Sequence, residues 1–169
     1  GNSGKLLFVK VEEKIFSNNQ LAISQLNDIV YRESPKNNQA SQNIPLTFNR
    51  KYSWLEKIST NSIMLFKYSA ITFNGHRIHY DLPYVTNIEK YPGLVVHGPL
   101  TATLLMNLCK NSNPGKKINS FTFKAISPLF NEQLIILKGE PKNSQNLEWN
   151  LWAENESNQL CMEATVLFN

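Results

Sequence analysis

The sequence predicts an α+β fold in which one buried helix packs against an antiparallel β-sheet. Two observations carry this prediction. Residues 98–109 have the start and the apolar composition of a buried helix, and strand-like segments follow it almost to the C-terminus. A helix that is apolar on nearly every face has to be covered by other parts of the chain. The strands that come after it supply a sheet for that purpose.

The predicted helix begins at Gly98-Pro99, because proline is well tolerated in the first turn of a helix, where its missing N–H is not needed. The segment LTATLLMNLC (100–109) continues it and is apolar on nearly every face. The segment NSNPG (111–115) has the residues that end helices.

Four segments after the helix are predicted as strands: 118–126, 133–139, 147–154 and 160–168. In the first of them, Phe121, Phe123 and Ala125 alternate with polar residues, which predicts one apolar face. Residues 63–70, IMLFKYSA, are predicted as an earlier strand of the same unit. The polar segment 73–81 is predicted to be irregular.

Near the N-terminus, residues 5–15 and 20–31 are rich in Leu, Val and Ile, and the turn-forming residues SNN lie between them at 17–19. This pattern predicts a β-hairpin. An isolated hairpin is marginally stable in water. We therefore expect it either to pair with the second unit or to belong to a structure assembled from more than one chain.

A polar stretch bounded by Pro35 and Pro45 has the composition of a linker. The predicted organisation is thus a hairpin unit at residues 1–34, a linker at 35–50 and a globular unit at 51–169.

The composition of the 169 residues excludes several classes of function. The net charge is +4, and the Lys and Arg residues are scattered, so we expect no nucleic-acid partner. No apolar run reaches the roughly 18 residues that span a membrane, and the first residues lack the features of a secretory signal. Cys109 and Cys161 lack zinc-site spacing. We expect them to be reduced, no metal to be bound, and the location to be cytoplasmic.

Two motifs precede the predicted helix, and the second ends at its first residue. Residues 73–81, FNGHRIHYD, have the spacing of a G-D-x-N-P-x-H-x-D pattern, and residues 93–98, GLVVHG, are one residue shorter than a G-x-x-x-x-H-G element but end in the same His-Gly pair. Both motifs resemble those of the R-specific enoyl-CoA hydratases. In this resemblance Asn74 stands where that family has an Asp, and His79 stands where it has the catalytic His.

A longer match points to a narrower branch. LFKYSAITFNGHRIHYD (65–81) and YPGLVVHGPL (91–100) are similar to strings of the MaoC-like hydratases and dehydratases. That branch includes mesaconyl-CoA and itaconyl-CoA hydratases and mitochondrial hydroxyacyl-thioester dehydratases. The resemblance implies a hot-dog fold, a helix wrapped by an antiparallel sheet. Those enzymes are double hot-dogs, and residues 1–34 resemble the closing strands of their first one.

Three residues are predicted to carry the chemistry. Hydration of an enoyl thioester needs a base for the water and a proton for the α-carbon, and His79 suits both roles. Asn74 cannot act as a base but can hold the water by hydrogen bonding. Gly98 opens the buried helix, where free N–H groups favour negative charge, so its N–H is the predicted donor to the carbonyl oxygen.

The neighbouring polar residues have less specific predictions. His97 and Tyr80 are placed among the substrate-binding residues, with backbone bonding or packing as the alternatives. Arg77 pairs either with a coenzyme A phosphate or with an acidic neighbour. Asp81 is predicted as a helix N-cap, with a supporting role towards His79 as the other reading.

The predicted function is therefore reversible hydration of an enoyl-coenzyme A or acyl-carrier thioester, with neither metal nor redox cofactor. Because most of a first hot-dog is missing from the sequence, we expect a homodimer or a partner hot-dog. Two alternatives stay open, since a fold does not fix a function. One is a hot-dog thioesterase, and the other is an acyl-coenzyme A-binding subunit without turnover.

Overall fold

The computed structural model describes residues 5–32, 50–142 and 147–169. The chain divides into two compact units, residues 1–44 and 45–169. The predicted linker at 35–50 lies outside the described residues except for its last residue.

The first unit contains the predicted hairpin. Strands β1 (Leu6–Ser17) and β2 (Gln20–Arg32) pair in antiparallel register. The turn between them is formed by Asn18 and Asn19, whose φ angles of 49° and 60° lie in the left-handed region. Asparagine tolerates that region, and a two-residue turn with both φ angles positive matches the twist of paired strands.

The hairpin exposes apolar side chains on both of its faces. Leu7 and Phe8 are adjacent, so they point to opposite faces, and they are 62% and 67% exposed. Phe16 and Leu21 are exposed in the same way near the turn. Two strands alone bury too little apolar surface to form a core.

The second unit is a five-stranded antiparallel sheet with helices on it. Its elements are β3 (Trp54–Ser59), α1 (Ser62–Ile71), a 3₁₀ turn (Arg77–His79), α2 (Leu82–Asn87), α3 (Gly98–Ser112), β4 (Ile118–Ala125), β5 (Leu134–Pro141), β6 (Glu148–Glu154) and β7 (Leu160–Phe168). The strand order is β3-β5-β6-β7-β4, and all neighbouring pairs are antiparallel. Helix α3 contacts every strand of this sheet. The predicted α+β arrangement is confirmed.

The hydrophobic core lies between α3 and the inner face of the sheet. Leu105 on the helix and Ile135, Leu137 and Val166 on the strands are completely buried. On α3 itself, Thr103, Asn107 and Lys110 are exposed. The helix is therefore buried over a wide apolar face and exposed along one side, so it is covered less completely than its composition predicted.

Residues 63–70 are a helix, α1, and their prediction as a strand was wrong. The Asn61 side chain accepts a hydrogen bond from the Met64 N–H at 2.8 Å, which caps the helix. Leu65 and Ser69 are its buried residues, and a spacing of four places them on one side of a helix. The strand that precedes it in the sheet is β3, which the pattern did not predict.

Within the described ranges, none of the helices combines the length and the apolarity that a membrane crossing requires.

Candidate active site

The site is built where the loop after α1 meets the segment that enters α3. The Val95 N–H donates to the Ile78 carbonyl at 2.9 Å, which ties the 3₁₀ turn to the residues before α3. The Val96 N–H donates to the Leu129 carbonyl at 2.8 Å, which ties the same segment to the loop after β4. These bonds bring His79 and Gly98, 19 positions apart in the chain, to one cleft.

The cleft has a volume of about 260 Å³ and a largely apolar lining. His79, Gly98 and Thr101 line it from the helix side. Its other walls come from the end of β4 and the loop that follows, and from Cys161 and Met162 at the start of β7. A small apolar cleft with few polar groups is typical of small-molecule sites.

The protonation of His79 follows from its hydrogen bond. Its side chain is 7% exposed, and Nδ1 lies 2.7 Å from the Val95 carbonyl oxygen. A carbonyl oxygen accepts only, so Nδ1 carries the proton and donates it. The other ring nitrogen, Nε2, is then unprotonated in the neutral ring and is able to accept a proton.

Burial lowers the pKa of His79 below its ordinary value, because the charged imidazolium is poorly solvated there. The hydrogen bond to Val95 raises the pKa and the nearby His76 lowers it, both by smaller amounts. The net effect keeps His79 neutral, and therefore basic, at neutral pH.

A second buried histidine, His97, stacks on His79. The rings of His79 and His97 are stacked, with centroids 3.7 Å apart and planes 16° from parallel. His97 is 1% exposed, and its Nε2 lies 2.9 Å from the Ser69 hydroxyl oxygen. Burial, and to a lesser extent His79, lowers the pKa of His97 to about 4. The imidazole beside His79 is therefore uncharged.

Gly98 is the first residue of α3 and follows the N-cap His97. The N–H groups of the first helical turn have no partner within the helix, and the helix dipole makes them favourable for negative charge. A Cβ built on Gly98 would approach Met162 Cε at 4.0 Å and nothing closer. Since Met162 lines the cleft, a larger side chain at this position would project into it.

Residues 1–131 match the model of the hydroxyacyl-thioester dehydratase type 2 family. The chain belongs to this family. It is 38% identical over 168 residues to the mesaconyl-C(4)-CoA hydratase of Chloroflexus aurantiacus, with 98% of this chain and 58% of that protein covered. It is 34% identical over 143 residues to the mitochondrial hydroxyacyl-thioester dehydratase type 2 of Schizosaccharomyces pombe, with 80% and 45% covered. This family member spans about half the length of the curated relatives it matches.

Solved structures show the same fold at low sequence identity. A MaoC-like dehydratase from Phytophthora capsici has a TM-score of 0.74 at 12% identity, covering 100% of this chain and 61% of that one. HtdX of Mycobacterium tuberculosis has a TM-score of 0.73 at 16% identity, covering 99% and 63%. The (R)-hydratase of A. caviae has a TM-score of 0.58 at 12% identity, covering 72% and 97%. The predicted hot-dog fold is confirmed.

Asn74, predicted as a catalytic partner of His79, does not line the cleft. Its Oδ1 accepts a hydrogen bond from the His76 N–H at 3.0 Å, and its own N–H donates to the Ser69 carbonyl at 2.9 Å. In this family member Asn74 thus shapes the turn that leads to His79. A role in holding water stays a prediction.

Arg77 and Asp81 pair with each other at the entrance of α2. Arg77 donates to Asp81 from Nε at 2.9 Å and from Nη2 at 2.7 Å, and it also lies over the Tyr84 ring. Asp81 accepts from the Tyr84 N–H at 3.0 Å and is the N-cap of α2, as one reading of the sequence predicted. These two contacts, the backbone bond first and the Arg77 bond second, lower the pKa of Asp81.

Both oxygens of Asp81 are therefore engaged away from His79, and Arg77 has the acidic neighbour that was one of its two predicted partners. Tyr80 lies outside the cleft lining as well. Its hydroxyl donates to the Gly75 carbonyl at 2.8 Å. Substrate contacts of Arg77 and Tyr80 stay predictions.

Sequence reasoning missed the parts of the site that come from distant segments. Ser69 lies in α1, and its bond to His97 joins residues 28 positions apart. Cys161 and Met162 are apolar strand residues that carry no motif. Thr101 was detectable, since it is a polar residue within a strongly apolar helix, four positions after His97.

No group of three or more His, Cys, Asp or Glu side chains is placed to hold a metal ion within the described parts of the chain.

Proposed function

We propose that this chain carries the catalytic hot-dog of an enoyl-thioester hydratase/dehydratase. The observation that carries the proposal is the position of His79. It is buried, neutral and donates Nδ1–H to Val95, while its ring lines the same cleft as the helix start at Gly98. A base and an oxyanion donor that face one apolar cleft are the two groups that this chemistry needs.

The reaction adds water across the Cα=Cβ bond of a conjugated thioester, with no net transfer of electrons. In the proposed step, His79 Nε2 takes a proton from water as the oxygen bonds to Cβ. The electron pair of the double bond moves through Cα towards the thioester oxygen, where the Gly98 N–H stabilises the developing charge. His79 then returns its proton to Cα, and dehydration follows the reverse course.

We propose a coenzyme A or acyl-carrier thioester as the substrate, and no cofactor beyond it. The names of the relatives support the thioester class, since they describe a CoA hydratase and hydroxyacyl-thioester dehydratases. The acyl group is not assigned. The cytoplasmic location stays a prediction, because two of the relatives are named as mitochondrial.

The test is a panel of enoyl-coenzyme A substrates, from crotonyl to mesaconyl and longer, followed by loss of the conjugated enoyl absorbance. A thiol reagent in a parallel assay detects free coenzyme A. Loss of absorbance without thiol release supports the hydratase. Thiol release from a saturated acyl-coenzyme A would indicate a thioesterase, and tight binding without either signal would indicate a binding subunit.

We further propose that the chain works beside a second hot-dog, either another copy or a partner. Strand β4 is an edge of the sheet, and the residues that follow it line the cleft. An edge strand presents unpaired backbone groups that a second sheet is able to use. Solved structures with this fold include two complexes, ChsH1-ChsH2 and HadBC. Light scattering at micromolar concentration is expected to give a mass above 19 kDa, and an active monomer would contradict the proposal.

Substitutions of Asn74 test how the turn before His79 contributes. Asn74→Ala is expected to lower turnover less than loss of His79, because it removes a turn hydrogen bond and no base. Asn74→Asp keeps an oxygen that accepts from the His76 N–H and adds a negative charge near the histidines. That charge raises the pKa of His79, so the acidic limb of the pH–rate profile should move to higher pH.

The Asn74 variants are compared by turnover against pH, with a thermal melt of each to verify folding. If Asn74→Ala were as damaging as loss of His79 while the protein stayed folded, Asn74 would belong to the catalytic groups after all.

A further inference from the structure

The two buried histidines form a stacked pair whose second ring has no role in the proposed reaction. His97 does not line the cleft, yet it is more deeply buried than His79. Ser69 holds its Nε2 at 2.9 Å, while its Nδ1 is buried without a hydrogen-bond partner among the described residues.

These contacts define the tautomer of His97. A buried N–H without an acceptor is rarer and more costly than a buried lone pair without a donor. Nδ1 is therefore unprotonated, and Nε2–H donates to the Ser69 hydroxyl oxygen. Because its single N–H is used in this bond, the His97 ring is uncharged where it stacks on His79, with the ring centroids 3.7 Å apart.

The stacked ring restrains the remaining freedom of His79. The bond from Nδ1 to Val95 fixes one ring atom, and rotation about that bond would still tilt the ring and move Nε2. The His97 ring, which stacks on the His79 ring at an interplanar angle of 16°, opposes that tilt by steric contact. Ser69 belongs to α1 and His97 to the entry of α3, so the restraint comes from two helices.

We propose that His97, anchored by Ser69, is a positioning residue that holds the His79 ring in the orientation needed for proton transfer. The inference rests on the proposed function, because it names what holds the proposed base in place. This positioning role also depends on His97 being neutral. When His79 takes up a proton, an uncharged ring beside it is compatible with the new charge, whereas a charged one would oppose it.

The other titratable groups around the pair are few among the described contacts. His76 packs edge-on to His79 with centroids 5.6 Å apart, and Tyr68 is tilted against His97 at 4.8 Å. Cys161 lines the cleft, and burial raises the pKa of its thiol to about 11, so it is uncharged at neutral pH. None of these groups supplies a negative charge to the pair.

The test uses the full chain with Ser69→Ala and His97→Gln. Ser69→Ala removes the anchor and leaves the ring. His97→Gln keeps a side-chain amide able to donate to Ser69 and removes the ring face. Thr60→Val is the matched control. Thr60 is completely buried, and its hydroxyl has no hydrogen-bond partner in the part of the chain that the structure describes; it lies after β3 and does not line the cleft.

The first readout is the NMR titration of the imidazoles without substrate, which is practical because the chain has three histidines. Loosening of the stack admits water to His79, which weakens the desolvation that lowers its pKa. Both variants should therefore raise the pKa of His79, and Thr60→Val should leave it unchanged. An unchanged His79 titration in Ser69→Ala and His97→Gln would overturn the proposal.

The second readout is kinetic. Both variants should lower kcat by about tenfold, with KM changed less than about twofold, because the orientation of the base is lost and not the binding of substrate. A rise in KM at constant kcat would assign the pair to substrate binding and contradict the inference. If the wild-type chain shows no hydration at all, the proposed function fails, while the titration still decides whether His97 positions His79. Ser69→Ala removes a single oxygen, so it provides that answer even if His97→Gln disturbs the core.

Discussion

Replacing His79 with alanine should lower turnover by about 10²–10⁴-fold and leave acyl-thioester binding nearly unchanged. Among the described residues, the ring is the one basic group that both lines the cleft and is held neutral by burial. Alanine removes the proposed proton carrier without closing the cleft. Turnover is measured by loss of the enoyl absorbance, and binding by calorimetry with a saturated acyl-coenzyme A.

His76→Ala is the matched control for this substitution. His76 lies three residues earlier in the same turn and is exposed. Its removal takes away one influence that lowers the pKa of His79, so the acidic limb of the pH–rate profile should move to higher pH. The plateau rate should stay unchanged. Wild-type turnover in folded His79→Ala would end the hydratase assignment and favour the binding subunit.

Replacing Gly98 with valine should reduce turnover by at least the roughly 10²–10³-fold that loss of one oxyanion donor costs. The N–H remains, but the new methyl groups project towards Met162 and occupy the space proposed for the thioester oxygen. Folding should be retained, because a Cβ at this position meets no atom closer than 4.0 Å.

Gly98→Ala separates steric exclusion from a general disturbance of the helix start. Its single methyl group fits beside Met162, so turnover should fall much less than with valine. Thermal melts of both variants establish that they fold. A folded Gly98→Val protein with a near-normal rate would remove the start of α3 from the site.

The sequence predicted the hairpin, α3 and strands β4 to β7 because each has a clear pattern and its own turn residues. It failed at α1, since most apolar residues of that helix are not in the core. Ile63, Phe66 and Ile71 are 63%, 60% and 74% exposed, and only two residues at a spacing of four are buried. An apolar run without a regular period does not distinguish a strand from a helix.

For the site, the sequence predicted that His79 and Gly98 act together, on the strength of the two motifs. It could not predict what holds them. The Val95 carbonyl that defines the tautomer of His79 is a backbone atom, and no side chain signals it. The bond between Ser69 and His97 depends on how α1 packs against the start of α3, which no local pattern encodes.

The stacked imidazoles also set an acid limit on the folded state through proton linkage. Unfolding returns the pKa of His97 from about 4 to its ordinary value of 6.5. Between these two pH values the unfolded chain therefore binds a proton at His97 that the folded chain does not bind. The stabilisation is complete above about pH 6.5 and is lost as the pH falls towards 4, a difference of about 3 kcal/mol for His97 alone. His79, whose pKa is also lowered, adds to the loss in the same direction. The neutral imidazoles are thus required for the proposed chemistry and for the stability of the fold, and protonating them at low pH would weaken both.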